Sequence, residues 1–179
     1  MQKKQIDVRL MASNSSFRSL VQRALDQPDI SLVDSTEPGS ALVLLDFPIT
    51  WALSQLDDMN SVERGRTVVL TQSSHGAYTD AVASFHVSGV VTSNEENQLL
   101  SSLYAAASSL KTYQWRSGLT YMELRVTRLL LRGLDTAQIA QILRVSAKTV
   151  NAHVSNVLTK LGYDSRAQYI AALLSNHVA

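Results

Sequence analysis

Short apolar runs alternate with helical patterns along the first 113 residues. Aliphatic and β-branched runs predict four buried strands and a weaker fifth, at 6–11, 41–46, 67–71, 89–92 and 30–33. Apolar residues recur at the helical period in the intervening stretches, at 15–27, 49–63, 76–86 and 94–113. Strands that alternate with helices predict an α/β domain with a mostly parallel sheet and helices on both faces.

From residue 119 onward the chain carries the start and stop signals of four helices, at 120–132, 136–143, 147–161 and 165–176. Three pairs have the spacing of a capping box, in which each residue binds the other's backbone N–H: Thr120 with Glu123, Asp135 with Gln138, and Ser165 with Gln168. Ser146 is a predicted N-cap for the third helix. Gly133 and Gly162 follow the first and third helices, where a left-handed residue costs glycine least.

The third of these helices has two faces of different character. At about 100° per residue, an apolar stripe predicts the packed side, formed by Val150, Val154, Val157, Leu158 and Leu161. The opposite side is small, polar or basic, and carries Lys148, Ala152, Ser155 and Thr159. Short outward side chains allow a helix to enter the major groove of DNA, where Asn151 is suited to adenine and Ala152 to a thymine methyl group. In isolation the pattern is typical of any amphipathic helix. The short helix before it, the tight turn and the capping pairs favour a helix-turn-helix.

Residues 119–166 resemble the DNA-binding domain of the LuxR/NarL/FixJ regulators over essentially its whole length. The matching positions are Leu119, Thr120, Glu123, Gly133, Ile139, Ala140, Leu143, Ser146, Thr149, Val150, His153, Lys160, Leu161, Gly162 and Arg166. The resemblance implies that helix 136–143 crosses the DNA backbone and that helix 147–161 enters the groove. It implies base reading by Asn151, Ala152 and Ser155. It also implies a group that contacts phosphates or braces the helix, namely Lys148, Thr149, His153 and Lys160.

Two features depart from the family pattern. Thr127 stands where the family usually has an aliphatic residue. Asn151 and Ser155 are less basic than the lysines that some members carry at these positions. The second departure bears on the base sequence that the helix prefers.

The last predicted helix carries a candidate dimer face. One apolar stripe predicts its packed side, formed by Ala167, Ile170, Ala171 and Leu174. Tyr169 and Leu173 lie on an adjoining face without an evident inward role. By the family resemblance this helix often joins two DNA-binding domains, so we expect Tyr169 and Leu173 to form the dimer face.

The front part of the chain resembles the receiver domain of response regulators, a flavodoxin/CheY-like fold. Asp46 ends its strand where a receiver has its phosphoacceptor, and Thr71 ends the next strand where the switch hydroxyl lies. However, the stretch 12–15 lacks the acidic residues with which a receiver holds Mg²⁺. The stretch 89–93 lacks the lysine that follows the last strand of a receiver, and Val90 stands in place of the aromatic switch residue. Phosphoryl transfer requires a divalent ion and a cation to absorb charge, and one carboxylate is a poor magnesium site. The sequence therefore predicts a vestigial phosphoacceptor at Asp46.

The front domain is also predicted to be one helix short. Only residues 34–40 separate the fifth strand candidate from the next strand, whereas a parallel crossover usually needs about a dozen residues or more. Either the run 30–33 is displaced from its usual place in the sheet, or it pairs in another way.

Charge separates the two parts of the chain. Residues 1–116 carry nine Lys and Arg against twelve Asp and Glu, a net charge of −3, and residues 117–179 carry seven against three, a net charge of +4. An acidic front and a basic back suit a regulatory domain joined to one that binds phosphates. We predict an atypical receiver-like domain at 1–113, a linker at 114–118, and an all-α, four-helix DNA-binding domain at 119–179.

Several other functions have no support in the sequence. The chain has no cysteine, which excludes disulfides and thiolate metal sites, and its four histidines show no metal-ligand spacing. Ser73, Ser74, His75 and Asp80 lack a nucleophile elbow, so we expect no catalytic residue, metal or cofactor. No stretch has the length of a membrane span, and the first residues lack a signal-peptide core. A cytoplasmic protein is expected.

Together these patterns predict a transcription regulator that binds double-stranded DNA as a homodimer. Its control is expected to be independent of Mg²⁺-assisted phosphorylation and to come from abundance, oligomerisation, a small molecule or a protein partner. Two alternatives stay open. One is a conventional response regulator with a degenerate but working phosphorylation pocket. The other is an interaction protein that pairs with a related regulator without reading DNA itself.

Overall fold

A computed structural model describes residues 5–34, 40–95 and 97–175. The chain divides into two compact units, one formed by residues 1–72 and 85–113 and the other by residues 73–84 and 114–179. The division between the units falls near the predicted boundary at residue 114, except that the segment 73–84 groups with the C-terminal unit. Residues 35–39 of the short connection predicted at 34–40, and residue 176 at the end of the last predicted helix, lie outside the described residues.

The first unit is built on a five-stranded parallel sheet. Its strands are β1 (Ile6–Ala12), β2 (Ile30–Leu32), β3 (Ala41–Asp46), β4 (Thr67–Thr71) and β5 (Gly89–Thr92). They lie in the order β2-β1-β3-β4-β5, and every neighbouring pair is parallel. The predicted α/β fold and the strand positions are confirmed. The structure also answers the question left open for the weakest strand, because β2 pairs with β1 at the edge of the sheet, with Ile6 opposite Ile30.

Helices cover both faces of the sheet around an aliphatic core. Helix α1 (Ser15–Ala24) and helix α5 (Asn97–Ala107) pack on one face, where Val21 and Leu103 join alternate residues of the central strands. Helix α2 (Trp51–Asp58) buries Ala52, Leu53 and Leu56. It is followed by the short helix α3 (Ser61–Arg64).

All four helices predicted in the first 113 residues are shorter in the structure, and α1 and the helix Gly76–Ala83 each end three residues before their predicted ends. The stretch 49–63 is divided because Asn60 caps α3, accepting hydrogen bonds from the N–H groups of Val62 and Glu63. The stretch 94–113 is helical only to Ala107, since Ser109 takes a left-handed conformation with φ of 56°. Residue 96 lies outside the described residues.

The described residues contain no helix between β2 and β3. Where a covering helix is missing, the sheet needs a surface that tolerates water. On β1 the side chains facing away from the α1 and α5 core are Asp7, Arg9 and Met11; Asp7 is exposed and the other two are partly buried. This face of β1 is therefore more polar and more exposed than the face that packs against α1 and α5.

The second unit is entirely helical. It contains α4 (Gly76–Ala83), α6 (Tyr121–Leu131), α7 (Thr136–Leu143), α8 (Ala147–Leu161) and α9 (Arg166–Leu174). The four C-terminal helices agree with the predicted bounds to within two residues. Helix α4 comes from the middle of the chain, between β4 and β5. Among the described residues, none of the helices is long and apolar enough to cross a membrane.

Candidate nucleic-acid interface

Helices α6 and α7 begin at the predicted capping boxes. Thr120 accepts the N–H of Glu123, and the Glu123 carboxylate accepts the N–H of Thr120 at 2.7 Å. Asp135 and Gln138 form the same reciprocal pair at the start of α7. These bonds satisfy amides that have no partner inside the helix, so the local sequence fixes where each helix starts.

The turn between α7 and α8 is made by a non-glycine residue in a left-handed conformation. Arg144 has φ of 56° and ψ of 45°, and the N–H of Val145 donates to the carbonyl of Ala140. Ser146 then caps α8 by accepting the N–H of Thr149 at 3.0 Å. The short α7, this turn and the capped α8 together form the predicted helix-turn-helix.

Helix α8 has one buried side and one exposed side. Val150 and Val157 are fully buried, and Gly162 ends the helix with φ of 73°. We define the outer face of α8 as the opposite side, which consists of Lys148, Ala152, Ser155 and Thr159. All four of its residues are exposed. The helix therefore presents short side chains and one cation to solvent.

The remaining predicted contacts flank this face. Asn151 is exposed, and its Oδ1 accepts the Thr136 hydroxyl at 3.4 Å. Thr149 and His153 are partly buried, and the Thr149 hydroxyl lies 2.8 Å from that of Ser146. Asn156 is also exposed at the edge of the outer face. It was not among the predicted contacts, although its helical angle places it beside Ala152.

Lys160 binds a buried carboxylate. Its ammonium group donates to Glu123 Oε2 at 2.7 Å, where the Glu123 side chain is 4% exposed. Burial on its own raises the pKa of Glu123, but the bonds from Lys160 and Thr120 outweigh it and hold the pKa below its ordinary value of 4.5. The pair ties α8 to α6. The family resemblance implies that Lys160 either contacts phosphates or braces the helix. The ion pair with Glu123 is a bracing contact, and a contact of Lys160 with DNA stays a prediction.

The C-terminal unit matches a known family. The model for the bacterial regulatory proteins of the luxR family matches residues 117–173. The spore germination protein GerE of Bacillus subtilis (strain 168) is 41% identical over 64 residues, which cover 36% of this chain and 86% of that protein. The chain belongs to the LuxR family of bacterial regulatory proteins. It is a DNA-binding transcription regulator of the LuxR/NarL type.

Two similarities extend over the front unit of this LuxR-family chain. The nitrate/nitrite response regulator NarP of Escherichia coli (strain K12) is 28% identical over 148 residues, which cover 70% of this chain and 68% of NarP. A solved structure of RcsB, described as two dimers bound to two parallel DNAs, is 18% identical with a TM-score of 0.55. It covers 95% of this chain and 98% of its own. At this identity the likeness concerns the fold, and it agrees with the receiver-like sheet.

Thr127, which stands where the family usually has an aliphatic residue, has a hydrogen-bond partner in the structure. The Thr127 side chain is fully buried in α6, and its hydroxyl lies 2.9 Å from the hydroxyl of Tyr169 in α9, which is also fully buried. Burial is the main reason that the pKa of Tyr169 is raised well above its ordinary value. A buried hydroxyl requires a partner, so the unusual threonine and the tyrosine form a matched pair.

The predicted dimer face is wrong. Tyr169 and Leu173 are both fully buried and face the interior of their own unit. The outward side of α9 is formed by residues assigned to the packed stripe: Ala167 and Ala171 are exposed, and Leu174 is 40% exposed. The reason is size, because a tyrosine and a leucine four residues apart bury far more apolar area than two alanines.

Asp46 lies where the receiver resemblance expects it, at the end of β3 and paired in register with Thr71 at the end of β4. Its side chain is fully buried. Oδ1 accepts the N–H of Ala52 in α2 at 2.9 Å, and Oδ2 accepts the Thr71 hydroxyl at 2.9 Å. Nearby, Ser13 donates to the carbonyl of Phe47. The described residues contain no group of three or more acidic or histidine side chains suited to a metal ion.

Sequence reasoning also missed three polar residues of the segment 73–84. The sequence predicts no contact for Ser73, His75 or Asp80, whereas in the structure each binds residues of the 114–179 part of the second unit. Because their partners lie 36 to 100 residues away along the chain, no local pattern signals these contacts.

Proposed function

We propose that this regulator reads DNA by inserting the outer face of α8 into the major groove, that it binds as a homodimer, and that its control does not require phosphorylation of Asp46. The observation that carries the proposal is the exposure of Ala152 and Ser155 opposite the buried Val150 and Val157. Any amphipathic helix has a buried and an exposed side, but short side chains on the exposed side of the second helix of a helix-turn-helix are what entry into the major groove requires.

The chemistry of α8 supports a division of tasks. Asn151 carries the amide that pairs well with adenine, and Ala152 and Ser155 are short enough for close approach to base edges. Lys148 at the first turn is suited to a phosphate, which fixes position without reading sequence. Lys160 is assigned to bracing, because its ammonium already binds Glu123.

A dimer fits the modest charge of the DNA-binding region. Residues 117–179 carry a net charge of +4, so a second copy doubles the phosphate contacts and adds a second half-site. The exposed stripe of Ala167, Ala171 and Leu174 on α9 is small and apolar, which suits close packing between two helices. RcsB, whose fold is similar, has been solved as dimers bound to DNA.

The surroundings of Asp46 support control without phosphorylation. Both carboxylate oxygens accept hydrogen bonds inside the protein, from Ala52 and Thr71. A phosphoryl donor needs an accessible oxygen, and its transfer needs a divalent ion to neutralise charge. The bonds instead make Asp46 a cap for α2, whose own N-cap Thr50 makes no side-chain cap bond. Abundance, oligomerisation, a small molecule or a protein partner remain the expected sources of control.

The direct test of the groove-reading proposal is a steric one. Ala152→Trp places a large ring on the outer face of α8 without entering the core, so we expect DNA binding to fall by about a hundredfold or more while the free energy of unfolding is unchanged. Val62→Trp on α3, where Val62 is 67% exposed, is the matched control. DNA binding is measured by fluorescence anisotropy with duplexes selected from random sequence by the wild-type chain. Selection of no duplex by the wild type would favour the interaction protein, and unchanged binding by Ala152→Trp would refute the proposed face.

A further inference from the structure

The segment 73–84 is attached to the C-terminal helices at three places within the second unit. The Ser73 hydroxyl donates to the carbonyl of Leu173 in α9 at 3.0 Å. Nε2 of His75 lies 2.8 Å from the Tyr163 hydroxyl, just after α8. Asp80 binds the backbone at Arg116 and Ser117, just before α6. The segment 73–84 thus contacts the chain just before α6, the residue just after α8, and α9.

Asp80 anchors the chain that enters α6. Its side chain is 1% exposed. The N–H of Arg116 donates to both carboxylate oxygens at 3.0 and 3.1 Å, and the N–H of Ser117 donates to Oδ2 at 2.7 Å. The Ser117 hydroxyl donates to the same oxygen. This set of donors requires an acceptor-only group, which a carboxylate is and an amide is not.

Gly76 allows the entering chain to lie close against α4. A Cβ atom added at Gly76 would lie 3.3 Å from Cβ of Arg116, which is tighter than ordinary packing. The glycine and the buried carboxylate one turn later therefore serve the same contact. Residues 116–117 are fixed to α4 over its whole first turn.

His75 acts at the C-terminal end of α8. Its Nδ1 accepts the N–H of Ala77 at 3.2 Å and so caps α4. An accepting Nδ1 carries no hydrogen, so in the neutral ring Nε2 carries it and donates to Tyr163. The N–H of Tyr163 in turn donates to the carbonyl of Leu158 at 2.9 Å, which closes the last turn of α8 after Gly162. His75 thus holds Tyr163, the residue that follows the C-cap Gly162 of α8.

We propose that α4 is a brace of the DNA-binding unit, with Asp80 and His75 as positioning residues, and that full DNA affinity depends on it. The inference rests on the proposed groove-reading function of α8. The contact is expected to raise DNA affinity and not to lower it. The outer face of α8 is exposed while α4 is bound to the C-terminal helices, so the contact does not cover the surface that binds DNA. Loss of the brace leaves the α8–α9 corner more mobile, and that mobility must be lost again when DNA binds.

The test removes the His75–Tyr163 bond from each side. His75→Asn keeps a good N-cap for α4 but loses the donor to Tyr163, and Tyr163→Phe keeps the ring but loses the hydroxyl. We expect each variant of the full chain to bind the selected duplex about fivefold more weakly, and the double variant to be no worse than either single. Tyr104→Phe removes a hydroxyl that binds Asp29 in the first unit, and is the matched control.

A second readout separates positioning from simple stability. Amide hydrogen exchange of residues 158–163 in the free protein should speed up in both variants, at a temperature where all the proteins are folded. Asp80→Asn, which places an amide against N–H donors, should do the same for residues 116–119 and also weaken binding. Faster exchange with unchanged affinity would overturn the brace. A wild-type chain that selects no duplex would instead remove the proposed function on which the brace rests.

Discussion

Three buried carboxylates, those of Asp46, Asp80 and Glu123, each accept a hydrogen bond from a backbone N–H group. Asp80 binds the amides of residues 116 and 117, ahead of α6, whereas for Asp46 and Glu123 the amide lies at the start of a helix. A carboxylate is the strongest neutral-pH acceptor available to such groups, and the helix dipole favours negative charge there. At the scale of single residues the chain thus uses two buried acids to hold helix starts, one of them at the expected phosphoacceptor position, and a third to hold the chain that leads into α6.

Glu123→Gln tests the ion pair with Lys160 through its pH dependence. Glutamine keeps the capping box, so the substitution removes mainly the charge, and we expect a cost of about 1 kcal/mol at pH 7. The pKa of Glu123 is lowered in the folded state, so its contribution is present above the ordinary value of 4.5 and is lost as the pH falls through the lower folded value. Urea unfolding of both proteins from pH 7 to pH 3 should show the two stabilities converging at the acidic end. A difference that stays constant with pH would contradict the pair.

The buried hydroxyls of Thr127 and Tyr169 form a closed pair that a double-mutant cycle can measure. Thr127→Val or Tyr169→Phe alone leaves the other hydroxyl unsatisfied, and we expect each to cost about 1–3 kcal/mol. The double variant should cost clearly less than the two losses together, because neither hydroxyl remains. The measurement is the free energy of unfolding in urea. Strict additivity would show that the 2.9 Å contact contributes nothing.

Single residues also show what the sequence could predict. Two of the three predicted capping boxes form, and they were predictable because both members lie within three residues of each other, as in Thr120 with Glu123. In the third pair Ser165 accepts the N–H of Gln168, but the Gln168 side chain accepts the N–H of Asp164 in place of that of Ser165. The bond between Glu123 and Lys160 joins residues 37 positions apart, and the bond between Ser73 and Leu173 joins residues 100 apart. Such contacts depend on how helices pack, and the periodicity of one helix does not contain that information.

At the scale of elements, the sequence predicts the buried side of α8 correctly and that of α9 incorrectly. The inward side of α8 was predictable because its valines and leucines lie on one stripe and its outer side has none. In α9 apolar residues occur on both sides, so periodicity does not identify the buried one. The predicted packed side contains Ala171 and Leu174, whereas in the structure Tyr169 and Leu173 are buried. The larger side chains win because burial energy scales with area.

The corrected face of α9 leads to a prediction about dimerisation. Ala171→Glu places a charge on the exposed stripe proposed to join two copies, and we expect weaker self-association and DNA affinity lower by about tenfold or more. Because Ala171 is exposed, the monomer should fold as before. Sedimentation with and without the selected duplex measures both effects, and Val62→Glu on α3 is the control. Unchanged assembly on DNA would place the dimer contact elsewhere.

At the scale of the whole molecule, a receiver-like unit without receiver chemistry is joined to an intact helix-turn-helix. The strand order and the parallel register were predictable from alternation, and the shortened β2-to-β3 connection is matched by polar residues on β1. The grouping of α4 with the C-terminal helices was not predictable, because the sequence places it between two strands of the front unit.

Asp46 gives the test of control at this scale. We expect acetyl phosphate or beryllofluoride with Mg²⁺ to leave DNA affinity within about twofold, because both Asp46 oxygens are bound inside the fold. A response regulator with an intact acidic pocket serves as the positive control in the same anisotropy measurement. A tenfold change that Asp46→Ala abolishes would restore the conventional response regulator.

The most direct measurement is the sequence preference of the wild-type chain, of Asn151→Ala and of Lys148→Ala, obtained by selection from random duplexes at two salt concentrations. The account predicts that the wild type selects two related half-sites. Asn151→Ala should lose preference at one position of each half-site, by about 1–3 kcal/mol. Lys148→Ala should select the same sequence more weakly, with a salt dependence shallower by about one unit. No enriched sequence, or preferences that neither substitution alters, would contradict the reading of DNA by the outer face of α8.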